Sequence, residues 1–202
     1  MNLVQRVQDI LLKPKATWPV IDAEPEDAAS LYKNYLMILA LIPAVAGFIG
    51  LSVIGMGAFG VSFRVPLLAG LVNMVVGYVL SLVVVFVVGL IVDALAPTFD
   101  GVQSPVAALK LAVYASTASL VGGVFSLLPS LSVLGALCGL YGIYLIYLGL
   151  PVLMKCPADR ALPYTAVVVV CAIVGGFTIA WVLSLLTPSP ALRLGALPLA
   201  LA

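Results

Sequence analysis

The 202-residue chain has no histidine, three cysteines, and only nine basic and eight acidic side chains, 8% of its length. Without histidine it lacks the commonest general base and metal ligand of neutral pH. A net charge of +1 with no basic run argues against a nucleic-acid partner, because nothing is present to neutralise a row of phosphates. Cys138, Cys156 and Cys171 are odd in number, and none is spaced as a metal knuckle or redox pair. Cys138 and Cys171 fall in apolar stretches, where a thiol behaves as a small hydrophobe. Cys156 stands beside Lys155 and near Arg160, a setting that favours the thiolate, but no base is near it in sequence. The glycine-rich stretch from Gly55 to Gly60 has no phosphate-loop lysine, and no nucleophile elbow or metal motif occurs. The expectation is a protein without cofactor, metal or catalytic residue.

What the chain has in quantity is apolar surface. It is 64% hydrophobic, with a mean hydropathy of +1.27. Soluble domains run nearer half apolar and a quarter charged, so the excess points to a bilayer. Five stretches are long enough to cross one: Leu36–Ile54, Pro66–Val92, Ala107–Leu128, Leu131–Leu153 and Tyr164–Leu186. The charge-free run from Leu111 to Met154 is too long for one crossing, and Pro129-Ser130 divides it into two. Lys155 to Pro163 reads as a polar loop. The fold expected is all-α, an integral membrane bundle of five transmembrane helices with an amphipathic amino-terminal interfacial helix.

Charge distribution orients the bundle. Five spans put Arg6, Lys13, Lys15, Lys33, Lys155 and Arg160, with Lys110 close by, on one face, and Arg64 and Arg193 on the other. Positive charge stays inside, which places the amino terminus in the cytoplasm and the carboxyl terminus outside. The organisation expected is residues 1–34 as a cytoplasmic segment, 35–187 as the membrane domain and 188–202 as a short outer tail. Leu3, Val4, Val7, Ile10 and Leu11 recur at helical spacing opposite Gln5, Arg6, Gln8 and Asp9, and Pro14 ends the pattern. Such a helix lies in the headgroup plane, with Trp18 continuing the anchor, or packs on the cytoplasmic ends of the spans. The acidic cluster from Asp22 to Asp27 reads as a solvated link, with a docking site for a basic partner as the alternative.

Ionisable groups within membrane spans are functional candidates. Asp93 and Lys110 qualify, with Asn73 as an uncharged companion. The two charges line a polar opening between the second and third spans, or sit at the interface with Lys110 reaching the headgroups. The fourth span carries Gly135 and Gly139 at a small-xxx-small spacing, which admits a close helix. Tyr141, Tyr144 and Tyr147 follow at three-residue intervals, with Tyr114, Ser116, Thr117 and Ser119 of the third span as partners for their hydroxyls.

The stretch Leu140-Tyr141-Gly142-Ile143-Tyr144-Leu145-Ile146-Tyr147-Leu148-Gly149-Leu150-Pro151-Val152-Leu153-Met154-Lys155 resembles the aromatic and Gly-Leu-Pro signature of the Yip family. These are Ypt/Rab-interacting multispanning membrane proteins, and the chain resembles their bacterial branch. Ala112-Val113-Tyr114-Ala115-Ser116, Leu128-Pro129 and Lys13-Pro14 with Trp18 extend the likeness over most of Val7 to Leu186. It departs in lacking a proline shortly after Tyr114 and the long polar extension of eukaryotic members. The resemblance implies a bacterial inner-membrane location and a tendency to associate within the membrane; the candidate interhelical or interaction residues are Tyr114, Gly135, Gly139, Tyr141, Tyr144, Tyr147, Gly149 and Pro151. The partners expected are membrane lipids and either another membrane protein or a second copy of the chain. The rival expectation is a small transporter, channel or lipid-handling protein opening at Asn73, Asp93 and Lys110. An enzyme would require Cys156, Asp93 and Asp100 to converge on one cleft.

Overall fold

The computed structural model describes residues 2–58 and 61–186. Among them five helical rods are long and apolar enough to cross a membrane: Ala28–Ile54, Leu67–Phe99, Pro105–Leu127, Val133–Leu153 and Ala158–Thr178. These are the five expected spans. The tail with Arg193 lies outside the described residues.

Two short helices come first, α1 (Leu3–Leu12) and α2 (Pro14–Ala23), divided where Pro14 removes the backbone donor α1 would need. The Thr17 hydroxyl ties the elbow by donating to the carbonyls of Asp9 (3.0 Å) and Lys13 (2.9 Å). The first span starts with α3 (Ala28–Leu31), capped by Asp27, whose carboxylate accepts from the Ser30 N–H at 3.1 Å. It continues through a π turn (Tyr32–Leu36), α4 (Met37–Phe48) and a second π turn (Ile49–Ile54). Gly55, at φ 84°, then turns the chain into an antiparallel hairpin of β1 (Met56–Ala58) and β2 (Val61–Phe63). α5 (Leu67–Leu95) returns and is followed by α6 (Pro105–Gly122), α7 (Ser132–Leu153) and α8 (Ala158–Leu186). The break at Pro129 stands between α6 and α7 as expected. The polar loop before the last span is shorter than expected: α8 begins at Ala158 and takes Pro163 inside it.

The centre is α6, the least apolar of the five spans. Of its span 67% is buried, against 17–28% of the other four. In a bilayer the span that carries polar and ionisable groups is the one best buried among the others. The other helices present wide aliphatic faces outward, such as Leu68, Val72, Val75 and Val79 on α5. At 29 residues, α5 is about 43 Å long, beyond the roughly 30 Å of a hydrocarbon core. It therefore tilts or projects, and α1 packs on α6 and α2 on α7 at one end of the bundle. We call this the capped end; the hairpin marks the other.

Glycines set how closely α7 lies on the core. Gly135, Gly142 and Gly149 recur every seven residues on its inner face. A methyl on Gly142 would sit 3.2 Å from the Ala115 carbonyl oxygen, and one on Gly149 would sit 2.9 Å from the Trp18 ring and run into Leu111. Gly135 faces the Gly122 carbonyl at 3.8 Å. Across the same joint Cys138 fills the space over Gly122, the structural role expected of a thiol on an apolar face.

Candidate functional site at the capped end

The main concentration of paired polar side chains lies where the amino-terminal segment meets α6. Lys110, Tyr114 and Thr117 fall at i, i+4 and i+7 on α6, one stripe of the helix. Lys110 is 5% exposed, and its ammonium donates to the carbonyls of Ile21 (2.9 Å) and Glu24 (2.5 Å). These are the unsatisfied carbonyls at the carboxyl end of α2, where a cation also complements the helix dipole. Glu24 turns its carboxylate the other way, to the Arg6 guanidinium of α1. The Tyr114 hydroxyl donates to Glu26 Oε2 at 3.0 Å, and the Arg6 guanidinium lies 5.8 Å from the centre of its ring. Tyr35, carried inward by the π turn, packs on Tyr114 at 4.8 Å, and its hydroxyl lies 2.9 Å from that of Thr117.

The acidic cluster stays exposed at Asp22 and Asp27, as a solvated link would, but Glu24 and Glu26 are half-buried and every carboxylate has a partner. Asp22 pairs with Lys155 at 2.5 Å, Glu24 with Arg6, Glu26 with Tyr114, and Asp27 caps α3. Burial works against the charge of Arg6, but its hydrogen bond to Glu24 and its nearness to Tyr114 and Glu26 hold its pKa above the ordinary value. Two further expectations change with this. Arg6, placed by periodicity on the wet side of α1, is 4% exposed, and Trp18 is fully buried rather than lying in the interface. Both follow from α1 and α2 packing on the bundle ends, the second of the two arrangements their pattern allowed.

The seam bounds a cavity of about 270 Å³, lined by Arg6, Glu24, Glu26, Asn34, Tyr35 and Tyr114 among others. A second cavity, about 280 Å³, lies between α4 and α5, where Asn73 meets Ser52, Tyr78 and Ser81 on a largely apolar wall. A third, about 350 Å³, lies among α5, α6, α7 and α8 and is lined by Gly139, Ser116 and Ser119. None of the three is lined by Asp93, Asp100 or Cys156.

Asn73, Asp93 and Lys110 do not form one opening. Twenty residues separate Asn73 from Asp93 on α5, about 30 Å along the axis. The Lys110 ammonium is engaged by α2, and Asp93 leaves Oδ1 buried without a hydrogen bond. The candidates on α7 also separate. Gly135 and Gly149 face the core, while Gly139 opens onto the third cavity, and a methyl added there would have no neighbour within 4 Å. Tyr141 donates to the Leu11 carbonyl of α1 at 2.7 Å. Tyr144 and Tyr147 point outward, 42% and 38% exposed. Pro151 is half-buried within α7, two residues beyond the Trp18 seat. The tyrosine hydroxyls thus do not pair with the third-span hydroxyls: Tyr114 serves Glu26, Thr117 meets Tyr35, and Ser116 bonds the Val113 carbonyl.

Cys156 is buried beside Gly101, and burial raises its thiol pKa above the ordinary range, with Asp159 adding to the rise. Asp100 pairs with Arg160 at 3.4 Å. Among the described residues no group of three or more Cys, Asp or Glu side chains gathers as a metal site. The paired i, i+4, i+7 stripe on α6 was the signal in the sequence for this seam; what it lacked was the segment that the stripe binds.

Residues 9–185 match the family model described as the Yip1 domain. No curated protein and no solved structure matches the chain.

Proposed function

From the premise that the chain belongs to the Yip1 domain family, we propose that it is a non-catalytic membrane protein acting through contacts in the bilayer, with the outer face of α7 as its contact surface. The observation that carries this reading is the outward row of that face, with two exposed tyrosines at one end of it. Val133, Leu137, Leu140, Tyr144 and Tyr147 stand at intervals of four, three, four and three, and are 38–68% exposed. That is the period of a helix-to-helix seam. On the opposite side, the Gly135–Gly142–Gly149 line fixes α7 against α6, so the outer row is presented on a rigid support. The partner suited to it is an apolar transmembrane helix, from another membrane protein or a second copy.

The rival reading, passage of a substrate, has less support. Lys110 is consumed in holding α2, and the cavity at Asn73 does not extend to Asp93. Catalysis likewise has no cleft around Cys156, Asp93 and Asp100 among the three cavities of the described residues. We place the capped end in the cytoplasm of a bacterial inner membrane, because Lys13, Lys15, Lys33, Lys155 and Arg160 gather there.

The test is crosslinking and mass spectrometry in native membranes with Leu137→Trp, Leu140→Trp and Gly139→Leu. The two tryptophans alter the outer row, and the leucine fills the third cavity instead. The expected result is one defined protein adduct, lost in both tryptophan variants and kept in Gly139→Leu. Equal adducts in all four proteins, or lipids alone in each, would overturn the assignment.

A further inference from the structure

The cavity under α1 is lined by one guanidinium, Arg6, and two carboxylates, Glu24 and Glu26, and the fold leaves hydrogen-bonding capacity open on Arg6 and Glu26. Arg6 is 4% exposed and gives one arm of its guanidinium to Glu24, while its Nη1 is buried without a hydrogen-bond partner. An orphaned donor on a buried cation costs more than one in water, so it is rarely left without a purpose. Glu26, on the same wall, accepts only from the Tyr114 hydroxyl, and no described cation lies within ion-pair distance of it. Asn34 and Ser30 add uncharged polar groups to the lining, and Leu3 and Leu31 add apolar ones.

The depth of the cavity is set by its neighbours. Tyr35 and Leu31 on its wall belong to the start of the first span, and from Met37 onward α4 turns aliphatic side chains outward. The cavity therefore opens at the level where a hydrocarbon layer gives way to headgroups. Its volume, about 270 Å³, suits a headgroup and not the acyl chains behind it. Chemistry narrows the ligand further. A simple anion would meet Arg6 but also the Glu24 and Glu26 carboxylates, and a simple cation would leave Arg6 Nη1 without an acceptor. A ligand with both signs a few bonds apart satisfies both groups.

We propose that this cavity binds a zwitterionic group joining a phosphate to a primary ammonium, with the phosphate towards Arg6 Nη1 and the ammonium towards Glu26. The ligand class is a phosphoethanolamine headgroup, presented by a lipid or free in solution. This site is independent of the α7 surface, which lies on another face of the bundle.

The test uses the full-length protein, stripped of lipid and returned to vesicles of phosphatidylcholine containing either phosphatidylethanolamine or phosphatidylglycerol, with retained lipid counted by native mass spectrometry. The wild type is expected to retain phosphatidylethanolamine over phosphatidylglycerol by about tenfold, the scale of one charge-assisted hydrogen bond. Glu26→Gln keeps an acceptor for Tyr114 but removes the negative charge, and is expected to reverse the preference towards phosphatidylglycerol. Asn34→Leu, at an exposed position on the cavity wall, is expected to weaken retention of both lipids. Competition by soluble O-phosphoethanolamine assigns the free zwitterion as the ligand, and failure to compete assigns the lipid. Equal retention of the two lipids by the wild type, or an unchanged preference in Glu26→Gln, would overturn the proposal.

Discussion

At the scale of single residues, the main finding is that a lysine in an apolar helix serves as a cap for another helix. Sequence places Lys110 near the membrane boundary, where a long side chain ordinarily reaches for headgroups. Its buried ammonium instead satisfies carbonyls at the end of α2. Lys110→Met would leave those carbonyls without their donor, at a cost of about 1–3 kcal/mol. The expected outcome is a lower unfolding temperature in detergent and faster protease cleavage between Glu24 and Asp27, with the five spans intact. Cys156 gives a second check at this scale. Its raised pKa means that the neutral thiol persists to higher pH, so the thiolate that alkylating reagents need is scarcer at about pH 8 than in an ordinary cysteine. Maleimide labelling in the folded protein should be slower than in the SDS-unfolded chain, because burial both shields the thiol and disfavours its thiolate. It should accelerate as pH rises beyond the ordinary thiol range of about 8.5. Rapid labelling at neutral pH would contradict the buried placement.

At the scale of elements, hydropathy made the spans legible because a stretch of apolar residues with few charges has a single stable home. The breaks were legible for the same kind of reason: Pro129 and Gly55 act on their own backbone. Docking of α1 and α2 was not, because their amphipathic pattern fits a headgroup plane and a helix bundle equally. The sign that decides is Gly149, which only becomes meaningful once Trp18 is seen against it. Two predictions separate this seat from the open glycine. Trp18→Ala removes a fully buried ring and should cost about 3–5 kcal/mol. Gly149→Leu should cost at least about 1–3 kcal/mol through overpacking against Trp18 and Leu111. Gly139→Leu, with no neighbour within 4 Å of its added carbon, should leave the melting temperature close to that of the wild type. The small-xxx-small pair was thus visible as a pattern, but its two members face different surroundings: Gly135 the core and Gly139 a cavity.

At the scale of the whole molecule, polar and apolar work are divided between two surfaces. The capped end gathers the ion pairs Arg6–Glu24, Lys155–Asp22 and Arg160–Asp100 and closes the loops around them. The long flanks are aliphatic and face outward. On those flanks α7 differs from α5 in having two exposed tyrosines at one end of its outer row. Whether α7 meets protein or only lipid is the central question for this molecule. The most direct measurement places a photo-crosslinking residue at Leu140, at Val83 on the outer face of α5, and at Leu145 in the core, one at a time in native membranes. A contact surface on α7 predicts a discrete protein adduct from position 140, lipid adducts from 83 and intramolecular products from 145. Lipid adducts alone from both 140 and 83 would contradict it.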